Sequence, residues 1–146
     1  MKRTTLAAII FASAFGASDA TAQEAVTVPF NGSFEDATFA VESAIVGRGL
    51  VIDYVSHVGE MLARTKSDVG GSSDLFEAAD VFLFCSAVLS RKVMEADPLN
   101  IAHCPYGVFV AEMGDGVAVG YRTYPDGPMK EVEALLRDIV EEAAAF

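Results

Sequence analysis

The sequence of 146 residues contains no tryptophan, only two cysteines and only 10 basic side chains. The 21 acidic side chains outnumber the basic ones and leave a net charge of −11. Because nucleic-acid binding depends on clustered Lys and Arg side chains that neutralise phosphates, the shortage of basic residues excludes nucleic acid as a partner. The same charge argues against binding to anionic membrane surfaces.

Several motifs of common cofactor and metal sites are also absent from the sequence. No Gly-rich phosphate loop precedes a helix, and no His-Glu-x-x-His or paired-cysteine zinc pattern occurs. There is no Cys-x-x-Cys, so ordinary thioredoxin chemistry lacks its second thiol, and no Cys-x-x-Cys-His, which excludes the usual covalent attachment of c-type haem. These absences leave two alternatives: haem bound without a covalent link, and a metal site with few ligands.

The N-terminal residues have the pattern of a secretory signal peptide. A short basic region is followed by an apolar run over residues 6–15, and residues 20–22 (Ala-Thr-Ala) fit the small-x-small rule of signal peptidases. The apolar run is about half as long as a membrane span. We therefore expect a signal peptide over residues 1–22 and cleavage after Ala22. Residues 23–146 would then form one exported domain without a membrane span, in a bacterial periplasm.

The rest of the chain alternates strand-like and helix-like segments. Runs rich in β-branched and aromatic residues predict strands at 25–30, 50–57, 81–85, 103–112 and 117–124. Apolar residues at helical spacing predict helices at 34–45, 58–65, 87–96 and 132–143, with Pro128 at the first position of the last helix. A further helical turn is predicted at 75–79. This order predicts an α/β (α+β) two-layer sandwich, with the helices packed on one mixed or antiparallel sheet.

Cys85 and Cys104 are the residues on which most functional alternatives depend. In an oxidising compartment they can form a disulfide, which by the chain-entropy model would stabilise the fold by roughly 3 kcal/mol. They can also be two buried free thiols, or a reactive or ligand-binding pair. Cys85 precedes a predicted helix, where backbone N–H groups stabilise a thiolate, so its pKa is expected to be lowered. If the strands that contain the two cysteines are neighbours, the sulfurs can meet.

Three further residues have side chains suited to haem iron or to a soft metal such as Cu(I): His57, Met94 and His103. His57 follows a predicted strand, where it is either a ligand or acid–base group or an exposed turn residue. His103 adjoins Cys104, but successive strand side chains point to opposite faces, so the two need not share a site. Met94 either fills the core or acts as a ligand. The acidic residues scatter along helix faces without a marked catalytic pair, which favours a non-enzymatic protein.

Three stretches stand out together: residues 57–62 (His-Val-Gly-Glu-Met-Leu), residues 84–98 (Phe-Cys-Ser-Ala-Val-Leu-Ser-Arg-Lys-Val-Met-Glu-Ala-Asp-Pro) and residues 104–106 (Cys-Pro-Tyr). With this spacing the chain resembles the domain of unknown function 302 family, in an exported branch. The resemblance implies a small two-layer α/β domain that pairs as a homodimer. It implies no established activity.

Three functions are compatible with these residues. The favoured one is a non-catalytic exported module that binds a small ligand, with haem or a soft metal such as copper foremost. Its candidate ligands are His57, Cys85, Met94, His103 and Cys104. The second is a homodimeric interaction domain with a structural disulfide. The third is a thiol-redox accessory protein in which the two cysteines form the reactive pair.

Overall fold

The computed structural model describes residues 25–146 of the chain. The predicted signal peptide and its cleavage site lie outside the described residues. The strands are β1 (Ala25–Phe30), β2 (Val51–Ser56), β3 (Ala78–Cys85), β4 (Tyr106–Met113) and β5 (Gly116–Arg122). The helices are α1 (Phe34–Val46), α2 (Val58–Thr65), α3 (Ala87–Ala96) and α4 (Lys130–Ala144), and a 3-10 helix over Pro98–His103 precedes β4.

The five strands form one sheet in the order β1-β5-β4-β3-β2. All four neighbouring pairs are antiparallel, so the sheet is not mixed. Gly114 and Asp115 join β4 to β5 in a hairpin, and Gly116 has a φ of 123° there, which a glycine adopts without strain. The predicted two-layer α/β sandwich is confirmed.

The core lies between one sheet face and the helices packed on it. α1 and α4 contact each other and the central strands. Because strand side chains alternate between faces, every second residue of the central strands is buried against these helices. The sheet contributes Phe82, Phe84, Tyr106, Val108, Val110, Val117 and Val119 to this core. The buried stripe of α4 consists of Val132, Leu136, Ile139, Val140 and Ala143.

Serine side chains cap the N-termini of α1 and α3. At α1 the Ser33 hydroxyl accepts a hydrogen bond from the Asp36 amide at 3.1 Å, and the Asp36 carboxylate accepts one from the Ser33 amide at 3.3 Å. This reciprocal capping box satisfies two helix N–H groups that would otherwise lack partners. At α3 the Ser86 hydroxyl accepts from the Leu89 amide at 3.3 Å. Serine is among the residues most favoured at the N-cap position, so both caps follow from local sequence.

Several predicted element boundaries are wrong, because strand pairing or a local cap determines the structure there. Residues 75–77 form no helical turn, and Ala78 and Ala79 belong to β3, where they pair with β4. The fourth strand begins at Tyr106 rather than at His103, because the Asp97 side chain and Pro98 start the 3-10 helix that ends at His103. The fifth strand ends at Arg122 rather than at 124. The last helix begins two residues beyond Pro128, at Lys130.

Among the described residues, the opposite face of the sheet has no comparable cover. α2 approaches the sheet where β3 begins, so closely that a Cβ on Gly59 would lie 2.5 Å from the Ala79 amide nitrogen. At the edge of the sheet, Val51 is 72% exposed and Tyr54 is 63% exposed. Within residues 25–146 no helix has the length and apolar character needed to cross a membrane.

We expect Leu136→Ala to lower the free energy of unfolding by about 2–5 kcal/mol, because it leaves a cavity in the core. Leu136 is fully buried between α4 and the sheet. Urea unfolding followed by circular dichroism measures the change. Leu99→Ala is the matched control, since Leu99 is 77% exposed and its truncation should change stability by less than about 0.5 kcal/mol. Equal losses in the two variants would contradict this assignment of the core.

Candidate functional site

The end of β3 and the segment that enters β4 bring the two cysteines together. Phe84 pairs with Tyr106 in the antiparallel register, so Cys85 and Cys104 lie just beyond this pair at the same end of the sheet. Their Sγ atoms are 2.6 Å apart, and both side chains are part-buried thiols. The peptide bond between Cys104 and Pro105 is cis. The strands are thus neighbours, and the sulfurs meet as the sequence analysis expected for that case.

The pKa of Cys85 moves in the direction opposite to the prediction. Burial raises the pKa of the Cys85 thiol to about 12, and its hydrogen bond with Cys104 acts in the same direction. The helix start does not offset these effects, because the Ser86 hydroxyl, not the Cys85 sulfur, accepts the hydrogen bond from the Leu89 amide. Cys85 therefore rests as a neutral thiol at neutral pH.

Ser90 and Tyr106 lie next to the cysteine pair. The Ser90 hydroxyl oxygen lies 3.9 Å from Cys104 Sγ and 3.0 Å from the Tyr106 hydroxyl oxygen. Tyr106 is fully buried, and this burial raises its pKa. Ser90 thus connects the sulfur pair to a neutral tyrosine of the core.

His103 contacts Arg122 and Tyr124 beside the cysteine pair. Its Nδ1 lies 3.4 Å from Arg122 Nη2, and because a guanidinium only donates hydrogen bonds, Nδ1 is the acceptor. The Arg122 guanidinium carbon lies 5.0 Å from the centroid of the Tyr124 ring, a cation–π distance. The Tyr124 hydroxyl is buried and has no hydrogen-bond partner among the described residues. Burial raises the pKa of Tyr124, and the Arg122 charge opposes this shift.

His57 lies at the other end of β3, away from the cysteines. The register pairs Ser56 with Val81 but Val51 with Cys85, which separates His57 from the sulfurs by about 13 Å or more along the strand. His57 Nδ1 is 2.8 Å from Asp80 Oδ1. This hydrogen bond, followed by the charge of Asp80, raises the pKa of His57. A histidine–aspartate pair therefore occupies this end of the strand.

Met94 lies one helical turn after Ser90 on α3 and packs, half-buried, against the core. Of the five predicted ligands, the structure thus brings Cys85 and Cys104 into contact and places His103 next to Cys104. It does not bring His57 to the same place. Among residues 25–146, no group of three or more His, Cys, Asp or Glu side chains is arranged to hold a metal ion.

The sequence analysis did not identify Asp80, Arg122 or Tyr124 as neighbours of the predicted residues. Asp80 gave a usable signal, because a carboxylate within an apolar strand is uncommon unless it has a partner. Arg122 and Tyr124 gave none, since their contacts with His103 depend on how β5 ends beside the 3-10 helix. Only the tertiary structure places these three residues near the predicted ones.

Comparisons with known proteins bear on the family and the fold. The family model described as domain of unknown function DUF302 matches residues 25–144. Among solved structures, the chain is similar to the crystal structure of an uncharacterized conserved protein DUF302 from Bacillus stearothermophilus, with a TM-score of 0.60 and 16% sequence identity. The alignment covers 83% of this chain and 93% of that chain, and at this identity it shows the fold alone. No curated protein matches this chain.

We expect Asp80→Asn to lower the pKa of His57 toward its usual value of 6.5, because the carboxylate that raises this pKa is removed. Nuclear magnetic resonance titration of the imidazole protons measures the change. The matched control is Asp126→Asn, at an exposed carboxylate that lies 3.9 Å from Lys130 Nζ, and it should leave the pKa of His57 unchanged. An unchanged His57 titration would contradict the assigned pair.

The same pair predicts the sign of a pH effect on stability. Since the pKa of His57 is raised in the folded chain, the ion pair stabilises the fold fully below pH 6.5, the usual value. This contribution is lost as the pH rises through the folded-state pKa. The wild-type chain should therefore lose stability across this window, and Asp80→Asn should lose less.

Proposed function

The chain belongs to the DUF302 family, and we propose that it acts as an exported, non-enzymatic interaction domain. In this proposal it forms a homodimer, and Cys85 and Cys104 form a structural disulfide. The observation that carries the disulfide is the 2.6 Å contact between the two Sγ atoms. The pattern of residues 1–22 supports export to an oxidising compartment, where disulfides form and persist.

The protonation of Cys85 supports a structural disulfide over a reactive pair. Thiol–disulfide exchange requires a thiolate, but burial raises the pKa of Cys85 to about 12 in the folded chain. A structural disulfide forms once, during folding, while Cys85 is still exposed to water. Each thiol then loses one proton and one electron, and the two electrons reduce a disulfide oxidant of that compartment to two thiols.

The proposed bond would link the end of β3 to the segment that enters β4. Cys104 follows directly after the 3-10 helix, so the bond would also hold that helix against the sheet. In the chain-entropy model, closing the loop between the two cysteines lowers the entropy of the unfolded chain. This would stabilise the fold by roughly 3 kcal/mol. A homodimer is consistent with the sheet face opposite the core, where Val51 and Tyr54 are exposed.

We expect the protein recovered from an oxidising compartment to contain no titratable thiols after denaturation without reductant, and two after reduction. Adding a reductant to the wild-type chain should lower its free energy of unfolding by about 3 kcal/mol. The matched control is the double variant Cys85→Ser, Cys104→Ser, whose stability should not respond to the reductant. Two free thiols in the untreated protein would contradict the disulfide.

The same sulfur pair favours a second candidate function, the binding of a small ligand. Two thiolates are suitable ligands for a soft metal such as Cu(I), and binding would replace the thiol protons. His103 directly precedes Cys104 in the chain and is the predicted ligand next to the pair. For haem, His57 at the other end of β3 would be the residue that binds the iron.

If this second function holds, the reduced protein should bind about one Cu(I) per chain, given the single cysteine pair. Competition with a chromophoric Cu(I) chelator measures the binding. The double cysteine variant should lose it, and His57→Ala should retain it. Haemin added to the same proteins tests the haem alternative, which requires a shifted Soret band that His57→Ala abolishes. The absence of both signals in the reduced wild-type chain would remove this candidate.

A further inference from the structure

The sheet face opposite the core is almost free of charge. Alternation along the strands places Val81, Leu83, Phe109 and Ala118 on this face. Among the alternating residues that the five strands place there, two are charged: Arg122 at the end of β5, and Asp53 at the β2 irregularity beside Tyr54. Arg122 turns toward Tyr124 and His103 at the end of the sheet. The centre of the face is therefore uncharged in a chain with 31 charged side chains.

The same face is flat as well as apolar. A Cβ on Gly120 would lie 2.5 Å from Cζ of Phe109, so the phenyl ring lies across this glycine. A Cβ on Gly107 would be 3.4 Å from methyl groups of both Leu83 and Val81. The large side chains thus lie over the glycines of the neighbouring strands. A flat, uncharged sheet surface of this kind is typical of a surface that another sheet covers.

We propose that this face packs against the same face of a second copy of the chain. The proposal rests on the homodimer of the proposed function and names its contact surface. The dimer has two sheets in the middle and the helices outside. A two-fold axis relates the two copies, so the same residues of each chain form the contact.

Charge determines where on the molecule a second copy can bind. Two copies that each have a net charge of −11 repel one another wherever their acidic helices meet. α1, α3 and α4 all have acidic side chains on their outer surfaces, for example Glu42, Glu95 and Glu141. The sheet face is where two such chains approach without bringing carboxylates together. Depletion of charge at the centre of a surface is also the compositional mark of an interface.

The area of the face agrees with a contact between two sheets. Five strands of 6–8 residues form a face of about 500 Å² at ordinary strand spacing and rise. Two such faces together bury roughly 1,000 Å², the size at which specific protein interfaces begin. An apolar groove of about 230 Å³ at the margin of the face, lined by Val58, Phe76, Phe109 and Met113 among others, can receive side chains of the second copy. A single strand or peptide would cover only part of this surface.

The test compares the oligomeric state of the full exported chain and of three variants by sedimentation and light scattering. Leu83→Glu places a carboxylate on the face between Tyr54 and Gly107, and we expect dimerisation at least 100-fold weaker, or about 2.7 kcal/mol. Tyr54→Glu makes the same kind of change at a side chain that is 63% exposed, so it should fold even if Leu83→Glu does not. Leu99→Glu is the matched control, because Leu99 is 77% exposed on the 3-10 helix, away from the face. Circular dichroism verifies that each variant is folded.

The expected result is a dimer in the wild-type chain and in Leu99→Glu, and a folded monomer in Tyr54→Glu and Leu83→Glu. A dimer that persists in both sheet-face variants overturns the proposed surface, although the homodimer itself would stand. A monomeric wild-type chain at all concentrations overturns both. The thiol measurement is independent of these outcomes, so the disulfide would then be judged separately.

Discussion

The antiparallel pairing of β3 with β4 is the interaction on which the rest of the structure depends. It buries Phe84 and Tyr106 side by side in the core. As a direct consequence, Cys85 and Cys104 meet at the end of the same two strands. The contact between the sulfurs is therefore a product of the register that the core requires, because a shift of one residue would turn the buried side chains to the other face.

β3 also separates two chemically different places in the molecule. One end has a pair of neutral, part-buried thiols, and the other has the His57–Asp80 pair. Burial keeps the Cys85 thiol neutral, because removal from water penalises a thiolate. The carboxylate of Asp80 raises the pKa of His57, because it favours the imidazolium form. A single site built from all five predicted ligands is therefore incompatible with the strand that runs between them.

The two faces of the sheet also differ from each other. One face is covered by helices and provides the core, and the other has flat apolar side chains lying over glycines. Ten acidic side chains of the described residues lie on the four helices. The middle of the open sheet face has apolar side chains instead, and this difference links the fold to the proposed contact with a second copy.

The sequence by itself determined the features that depend on near neighbours. The capping box of Ser33 and Asp36, the cap at Ser86, the hairpin at Gly114-Asp115 and the order of the main elements are recognisable because their interactions span a few residues. The motif around Cys85 and Cys104 likewise led to the correct family. Only the tertiary structure decided the raised pKa of Cys85, the partner of His57, and the surroundings of His103. Each of these depends on burial or on a contact between strands far apart in the chain, and no local pattern specifies the register that creates it.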